Sequence, residues 1–599
     1  MRNFLKQILA TLIGSFTGLV LFSVLGTGSL FLLLVVVGNR DGQPQVESGS
    51  VLVFDLSKPI QDTQPPLDIT QALFSPEARP VTVQQVVNSI EKASEDDRIS
   101  GILLDGTEGS NSTGYSVLKE VREALVEFQE SGKEVIAYDT NWNQREYYLA
   151  SIADNIVLNP LGNLEMRGLR SEQTFFAGAL EKYGVGIDIV RVGDYKSAVE
   201  PLTREDFSAE NEEQLTTLLG DIWGEWLNSV STGRDISVEA LQEIVDTQGL
   251  LLAEEALEAG LIDEIAYRDE VVTQLKALSE VEEEEDAFPN ISLARYSGVA
   301  EEQDNEAISE NQIAVLHAQG NIIAGEGTMD SIGSKRYAKT IRNLREDDAV
   351  KAVVVRINSP GGGATASDVI LRELKLTQEE KPVIVSMGNT AASGGYWIAL
   401  GGDQIFAQPT TVTGSIGVFG ILPNIQELAN ENGITWDEVA TGELAGLDSI
   451  SRPKTEGELA VLQGTVDQIY NQFIDRVAEN RDLSREEVEE IAQGRVWSGK
   501  RAKEIGLVDE LGGLESAIAQ AAETAELGDD WQVQEYPSFS GFEEQLLKRF
   551  QGEARVLLGH QKTPIDERLQ RFQTTWDNFK VLNDPNQAYA RLPFEFWID

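Results

Sequence analysis

Cysteine is absent from the 599-residue chain, and histidine occurs only twice, at His317 and His560. The lack of cysteine excludes thiol nucleophiles, thiolate metal sites and disulfides. Two histidines far apart in the sequence also leave the chain without the HExxH motif or imidazole cluster of common zinc enzymes. We therefore expect no metal and no cofactor. A hydrolase of this composition would use Ser or Thr as nucleophile, with Lys or a carboxylate as base unless one histidine serves.

Basic residues are also scarce, with 48 Lys and Arg against 99 Asp and Glu, for a formal net charge of −51. Nucleic-acid binding depends on clustered Lys and Arg, so we expect no nucleic-acid partner and no broad contact with anionic lipid. We interpret the acidity as an aid to solubility. A nucleotide site is not expected either, because the Lys-Ser pair within 193–197 lacks the G-x-x-x-x-G-K frame.

One long apolar run lies near the N-terminus. No charged residue occurs from Gln7 to Asn39, which is longer than the roughly 20 residues that cross a bilayer. Because Arg2 and Lys6 precede the run, the positive-inside tendency predicts a single-pass anchor with the remaining chain on the extracytoplasmic side. A cleaved signal peptide is the alternative, but the run exceeds the roughly 7–15 apolar residues of such peptides.

After this run, short apolar segments rich in β-branched residues alternate with helical stretches. This pattern predicts an α/β fold with a largely parallel sheet that is covered on both faces. The six clearest strand segments begin at Val51, Gly101, Glu134, Ile313, Ala352 and Pro382.

The strand segments belong to an internal repeat. The sequence YYLASIADNIVLNP from Tyr147 parallels YWIALGGDQIFAQP from Tyr396, an offset of 249 residues, and the same offset joins Gly193 to Gly442. A duplication explains the pattern, with its junction near the acidic stretch 281–289.

We therefore predict four parts. Residues 1–45 form a cytoplasmic stub and the anchor, and residues 46–300 form the first repeated half, which ends in the acidic linker. Residues 301–535 form the second half, and residues 536–599 form a tail to which the sequence assigns no role.

The strongest candidate for a nucleophile is Ser393, in the segment NTAASGGYW directly after a predicted strand. Gly394 follows it, and a glycine there leaves a backbone N–H available to a developing oxyanion. The loop NSPGGG follows another predicted strand, and we expect Gly361 and Gly362 to supply a second N–H donor. Seen alone, such a segment can also be a closely packed strand-to-helix junction.

A serine hydroxyl needs a base, which here would be Lys, Asp or Glu. Lys196 follows the strand-like segment IDIVRV and could face inward, where desolvation would lower its pKa from about 10.4. The alternative is an exposed lysine beside Asp194. Ser415, in TVTGSIGVFG, could orient the amine as the third member of a triad does, or be a plain turn hydroxyl. Its counterpart in the first half is Met166.

The repeat shows which half carries which candidate. The 249-residue offset places Gln144 opposite Ser393, and Ala445 opposite Lys196. Each half therefore lacks the candidate that the other carries. This predicts one active site divided between the halves, although ordinary divergence would leave the same trace at any single position.

Four motifs taken together carry more information than each alone. RVGDYKSAVEP, NSPGGG, AASGGYW and TGSIGVFG, in this order and at these spacings, resemble the long tandem form of the signal peptide peptidase A family, also called protease IV. The resemblance covers nearly everything from Val51 to about Ala521 and includes the N-terminal anchor. It implies tandem Clp protease/crotonase-like domains, each a spiral of ββα units.

The resemblance also implies roles for individual residues. The family's base corresponds to Lys196, its nucleophile to Ser393 and its lysine-orienting serine to Ser415. Its oxyanion glycines correspond to Gly394 and the SPGG loop, which contains Gly361.

The implied activity is a Ser/Lys serine endopeptidase, without ATP, that degrades cleaved signal peptides and other short or unfolded hydrophobic peptides. The implied assembly is a ring-like homotetramer. Two other classes of function remain open: a crotonase-type acyl-CoA enzyme and a non-catalytic membrane scaffold. The sequence leaves open the cleavage preference, the membrane system and whether the base and nucleophile pair within one chain.

Overall fold

The computed structural model describes most of the chain outside its ends. The described residues are 46–63, 81–109, 112–281, 287–306, 309–328, 330–537 and 588–592. The predicted anchor in 1–45 lies outside them, as do residues 282–286 of the acidic stretch. Within these ranges, no helix has the length and apolar character needed to span a bilayer.

The first half is built on a six-stranded sheet in which every pair is parallel. Its strands, in order across the sheet, are Glu264–Ile265, Asn155–Leu158, Glu134–Asp139, Ile99–Asp105, Ser50–Asp55 and Asn290–Ser292. Consecutive residues of the strand Ile99–Asp105 are buried in different apolar clusters, Ile102 and Leu104 in one and Leu103 in another. The sheet is thus covered on both faces, which explains why its strands are continuously apolar.

The second half contains an eight-stranded sheet. The path across it is Val496–Ser498, Val412–Gly414, Val383–Ala392, Val350–Ser359, Gln312–Gln319 and Gln532–Tyr536, with Gln404–Ala407 and Glu510–Leu511 branching from it. The three central strands pair in parallel, whereas Val412–Gly414 and Val496–Ser498 are antiparallel. All six strands predicted from sequence are present in these two sheets.

Helices surround both sheets. In the first half they are Val83–Glu95, Tyr115–Glu130, Gln144–Ala150, Ala177–Lys182, Glu200–Thr203, Ala209–Arg234, Val238–Thr247, Ala253–Glu258, Arg268–Leu278 and Leu293–Glu306, with a 3-10 turn at Ser197–Val199. In the second half they are Ser334–Glu346, Ala364–Gln378, Gly394–Ala399, Gln426–Glu431, Glu456–Arg481, Arg485–Ile491, Gly499–Glu504 and Leu514–Thr524. Two small sheets pair Ile60–Gln61 with Val81–Thr82, and Asn163–Glu165 with Leu250–Leu252.

Equivalent residues of the two halves make the same contacts. The Tyr147 hydroxyl donates to the backbone oxygen of Leu261 at 2.6 Å, and the Tyr396 hydroxyl donates to that of Leu507 at 2.8 Å. Each tyrosine is fully buried. The sequence repeat is therefore also a repeat of tertiary contacts.

A third sheet joins the halves. Its strands, in order, are Ser331–Gly333, Asn321–Ile323, Gly361–Gly363, Tyr589–Arg591, Val418–Asn424 and Gly186–Val192. The last strand comes from the first half and runs antiparallel to Val418–Asn424 of the second half along its full length. This pairing brings the loop after Val192 into the second half.

A buried charge cluster also connects the halves. Arg356, which is fully buried, donates from Nε to Asp62 at 2.7 Å and from Nη2 to Glu120 at 2.6 Å. Burial alone would lower the pKa of Arg356, but the two carboxylates outweigh it and raise that pKa. Pairing thus compensates the cost of placing the guanidinium away from water.

Candidate active site

Ser393 lies at the junction between the strand Val383–Ala392 and the helix Gly394–Ala399. Its backbone has φ 56° and ψ −112°, a conformation that non-glycine residues adopt at a cost of about 1–3 kcal/mol. Two backbone hydrogen bonds hold it there, from Ser393 N to Gly414 O at 2.8 Å and from Trp397 N to Ser393 O at 2.8 Å. The chain therefore turns sharply at this junction, and the backbone strain is located at the candidate nucleophile.

Lys196 and Ser393 meet although 197 positions separate them. The distance from Lys196 Nζ to Ser393 Oγ is 2.7 Å. Nζ also lies 2.9 Å from both the backbone oxygen and Oγ of Ser415. All three residues have no exposed surface.

This set of contacts fits a neutral amine. A neutral lysine has two N–H donors and one lone pair, and the two donors can serve the two oxygens of Ser415. The lone pair then accepts the hydroxyl proton of Ser393, as a general base requires.

The surroundings favour that neutral form. Burial lowers the pKa of Lys196 well below its ordinary value, and desolvation accounts for the shift. A charged ammonium loses its hydration in such a pocket, whereas a neutral amine loses much less. Asp194 is exposed on the loop, so the alternative of a solvated lysine beside an acid does not describe this side chain.

The loop of residues 193–196, which carries Lys196, is called the lysine loop. It approaches the second half closely because glycine occupies the contact points. Gly193 has φ +104°, and a Cβ there would lie 2.4 Å from Gln493 O. Gly494 has φ +79°, and a Cβ there would lie 2.6 Å from Lys196 Cβ. Tyr195 N donates to Gln493 O at 2.9 Å. Larger residues at either glycine would push the lysine away from Ser393.

Gln214 fixes the same loop from the helix Ala209–Arg234. Its Nε2 donates to Tyr195 O at 3.1 Å and to Ser197 Oγ at 3.0 Å. Its Oε1 accepts from Val496 N, in the second half, at 3.2 Å. Gln214 is not recognisable from the sequence, because a glutamine in an acidic amphipathic helix carries no local signal of a buried role.

The glycine loop, residues 358–363 with the sequence NSPGGG, lies against Ser393. Gly361 has φ +99°, and a Cβ there would lie 2.7 Å from Gly394 N. A Cβ at Gly394 would lie 3.1 Å from Gly362 N. The backbone N–H of Gly361 donates to Ser359 Oγ at 3.1 Å. The backbone nitrogens of Gly394 and Gly362 therefore both lie at this close contact between the loop and the start of the helix that follows Ser393.

Ser359 holds the loop in this conformation. Besides accepting from Gly361 N, its hydroxyl donates to Gly320 O at 2.7 Å. Ser359 was not among the predicted site residues, although it lies within the motif NSPGGG. All six residues predicted for the site, Lys196, Ser393, Ser415, Gly361, Gly362 and Gly394, lie together.

The positions that the repeat pairs with Ser393, Ser415 and Lys196 carry other residues. Gln144 occupies the position of the candidate nucleophile, and its Oε1 accepts from Arg167 N at 3.1 Å and Gly168 N at 3.0 Å. Met166, which replaces the lysine-orienting serine, is fully buried. Ala445, the counterpart of the lysine, is exposed. These three positions carry neither a hydroxyl nor an amine.

Comparison with known families agrees with this geometry. The description "Peptidase family S49" matches residues 127–282 and 375–528, and "Clp protease" matches residues 304–413. The chain belongs to peptidase family S49. Its mixed α/β fold contains two S49 domains and a Clp-like protease fold, and the family predicted from the four motifs is confirmed.

Relatives of this S49 peptidase match it over most of its length. "Protease 4" of Salmonella typhi is 34% identical over 596 residues, which cover 95% of this chain and 94% of the relative. "Protease 4" of Haemophilus influenzae is 36% identical over 76% of this chain and 75% of its own. "Serine protease SPPA, chloroplastic" of Arabidopsis thaliana is 35% identical over 81% of this chain and 70% of its own. The chain is a serine peptidase.

Proposed function

We propose that this serine peptidase is a membrane-anchored endopeptidase in which Lys196 is the general base and Ser393 the nucleophile. The observation that carries the proposal is the 2.7 Å contact between Nζ and Oγ in a fully buried pocket. Burial lowers the pKa of the lysine, so the amine is available as a base closer to neutral pH than an exposed lysine.

Acylation follows from these positions. Ser393 Oγ attacks the substrate carbonyl carbon while its proton moves to Lys196 Nζ. The ammonium then gives this proton to the leaving nitrogen as the C–N bond breaks, which leaves an ester on Ser393. Water, deprotonated by the neutral amine, hydrolyses the ester, and the serine recovers its proton from the ammonium.

Two backbone donors would stabilise the tetrahedral oxyanion. We assign them to Gly394 and Gly362, because Gly361 already donates to Ser359. Removing one such donor costs roughly 10²–10³ in kcat in other serine hydrolases. Gly361 serves the site through its left-handed backbone, which lets the loop turn against Gly394.

The proposed substrates are cleaved signal peptides and other short or unfolded hydrophobic peptides. Val199, three residues after Lys196, forms an apolar cluster with Phe419 and Tyr589, with Ile189 and Ile421 packed against it, and such side chains favour apolar peptides. The charge-free run from residue 7 to residue 39 would keep the enzyme at the membrane where these peptides occur. We further propose that the catalytic half-chains lie on the extracytoplasmic side and assemble as a homotetramer.

Replacement of the two residues tests the proposal. Ser393→Ala and Lys196→Ala should each abolish hydrolysis of an apolar fluorogenic peptide, because the dyad acts as a unit. Lys500→Ala, at an exposed lysine of the same half, is the control and should behave as the parent. Hydrolysis that persists after both replacements would overturn the dyad, and an acyl-CoA enzyme of the crotonase type would need neither residue.

A further inference from the structure

The strand that leads to Ser393 contains an irregularity. Val383–Ala392 pairs in parallel with Val350–Ser359, but the register shifts at Asn358, so that residues 388–390 lie opposite Asn358 alone. A bulge of this kind bends its strand and redirects the side chains beyond it, and bulges are common next to active sites. Because Ser393 follows this strand directly, the bulge takes part in setting where the nucleophile lies.

Asn358 contacts both sides of this irregularity. Its side-chain Oδ1 accepts from Thr390 N, in the bulged strand, at 3.3 Å. Its backbone oxygen accepts from Gly320 N at 3.0 Å, and the glycine loop begins at this residue. Gly362, one of the two assigned oxyanion donors, lies in that loop. Asn358 therefore links the nucleophile strand to the loop that carries an oxyanion donor.

Asp62, from the first half, determines which way the Asn358 side chain points. Asn358 Nδ2 donates to Asp62 Oδ2 at 2.5 Å. A carboxylate only accepts hydrogen bonds, so the amide nitrogen must face Asp62 and the amide oxygen is left for Thr390 N. With the amide turned over, its NH2 group would face the N–H of Thr390, and two donors cannot bond to each other. The first half thus fixes an orientation on which the nucleophile strand depends.

Asp62 is itself held as an ionised acceptor. Its Oδ1 accepts from Arg356 Nε at 2.7 Å, and the residue is almost fully buried. Burial alone would raise the pKa of Asp62, but Arg356 and the hydrogen bonds outweigh it and lower that pKa. Gly388, in the bulge, leaves room for the carboxylate, because a Cβ there would lie 3.2 Å from Asp62 Oδ2, closer than an ordinary van der Waals contact. The acceptor that orients Asn358 is therefore charged and fixed in place.

We propose that Asp62 and Asn358 are positioning residues of the peptidase: Asp62 orients the Asn358 side chain, and Asn358 keeps the nucleophile strand and the glycine loop in register. The inference rests on the proposed function, because it concerns the oxyanion donors assigned there to Gly394 and Gly362. If the loop shifts relative to Ser393, these donors miss the oxyanion, and a displacement of about 1 Å can cost roughly a hundredfold in rate. The first half then supplies both the base and a support for the oxyanion site.

Steady-state hydrolysis of an apolar fluorogenic peptide by Asn358→Ala and Asp62→Ala tests the inference. Each variant should lose roughly tenfold to a hundredfold in kcat with little change in KM, because the oxyanion forms only in the transition state. A peptide aldehyde of the same sequence should bind more weakly by the factor by which kcat/KM falls, since its hemiacetal oxygen occupies the oxyanion site. The lysine pKa in the pH profile of kcat/KM should not move, because Lys196 keeps its contacts with Ser393 and Ser415.

Glu120→Ala is the matched control. It removes the other carboxylate of Arg356 and should lower the urea midpoint as Asp62→Ala does, but it leaves the Asn358 contact intact and should keep the parent's kcat. An Asn358→Ala variant with the parent's kcat would overturn the positioning role, even if Asp62→Ala failed to fold, because Asn358→Ala leaves both carboxylates on Arg356. An equal loss of kcat in Glu120→Ala and Asp62→Ala would also overturn it, since the effect would then come from the cluster as a whole. Hydrolysis that persists in Ser393→Ala would instead count against the proposed function.

Discussion

Replacing Lys196 by methionine should change how the stability of the protein depends on pH. In the folded state burial lowers the pKa of this amine well below its ordinary value, whereas in the unfolded chain it titrates near pH 10.4. Between the two pKa values the unfolded state binds one more proton than the folded state. The free energy of unfolding of the parent therefore rises with pH across this window, relative to the methionine variant.

The size of the effect follows from linkage. The relative free energy should change by about 1.4 kcal/mol for each pH unit between the lowered pKa and about 10.4. The variant also loses three hydrogen bonds, to Ser393 Oγ and the two oxygens of Ser415. Each is worth about 0.5–1.5 kcal/mol, but their loss is similar at every pH and cancels when two pH values are compared.

Urea unfolding under conditions of full refolding measures this difference in the free energy of unfolding at about pH 7 and about pH 10, both below the ordinary lysine pKa of about 10.4. Lys500→Met, at an exposed lysine, is the control and should show no such pH dependence. The pH profile of kcat/KM gives the lowered pKa independently, and the two experiments should agree. A Lys196→Met variant whose stability relative to the parent is the same at both pH values would refute the claim that the buried amine is neutral.

Three other variants test separate parts of the structure. Ser415→Ala should lower kcat/KM about tenfold at constant pH, because Lys196 loses its hydrogen bond to Ser415 Oγ while the backbone oxygen still holds the amine. Unchanged kinetics would show that Ser415 does not orient the lysine. Gly361→Ala should abolish peptide hydrolysis with the circular-dichroism spectrum retained, because the backbone has φ +99° and a Cβ would collide with Gly394 N. An active variant would contradict this. Arg356→Met should lower the free energy of unfolding by about 3–5 kcal/mol, because two buried carboxylates lose their partner; an unchanged urea midpoint would argue against that cost.

The local pattern of apolar and polar residues was sufficient to predict much of the fold. The segments that begin at Val51 and Ala352 are mostly apolar and contain several valines, and each forms a largely buried strand within a sheet. Ser393 was identifiable because a strand, a serine and two glycines are adjacent in sequence. Its convergence with Lys196 was predicted from the repeat and the family resemblance, since no local feature reports a contact across 197 positions.

Other features depend on pairing that only the folded chain defines. The strand Gly186–Val192 pairs antiparallel with Val418–Asn424. Each segment has the sequence pattern of an ordinary strand, so the pattern does not show that they are partners. The strand Tyr589–Arg591 is three residues long, too short for its periodicity to be recognised. Gln214 and Ser359 are common polar residues whose roles come from the loops they contact.

The rate at which a serine-reactive phosphonate labels Ser393, followed against pH in the parent and in Lys196→Met, tests the central claim most directly. If Lys196 is the base, the labelling rate of the parent should rise with pH through the lowered pKa of the lysine, because only the neutral amine accepts the serine proton. The methionine variant should be labelled slowly, without this rise. Equal labelling rates and pH profiles in the two proteins would contradict the assignment of Lys196 and Ser393 to one catalytic dyad.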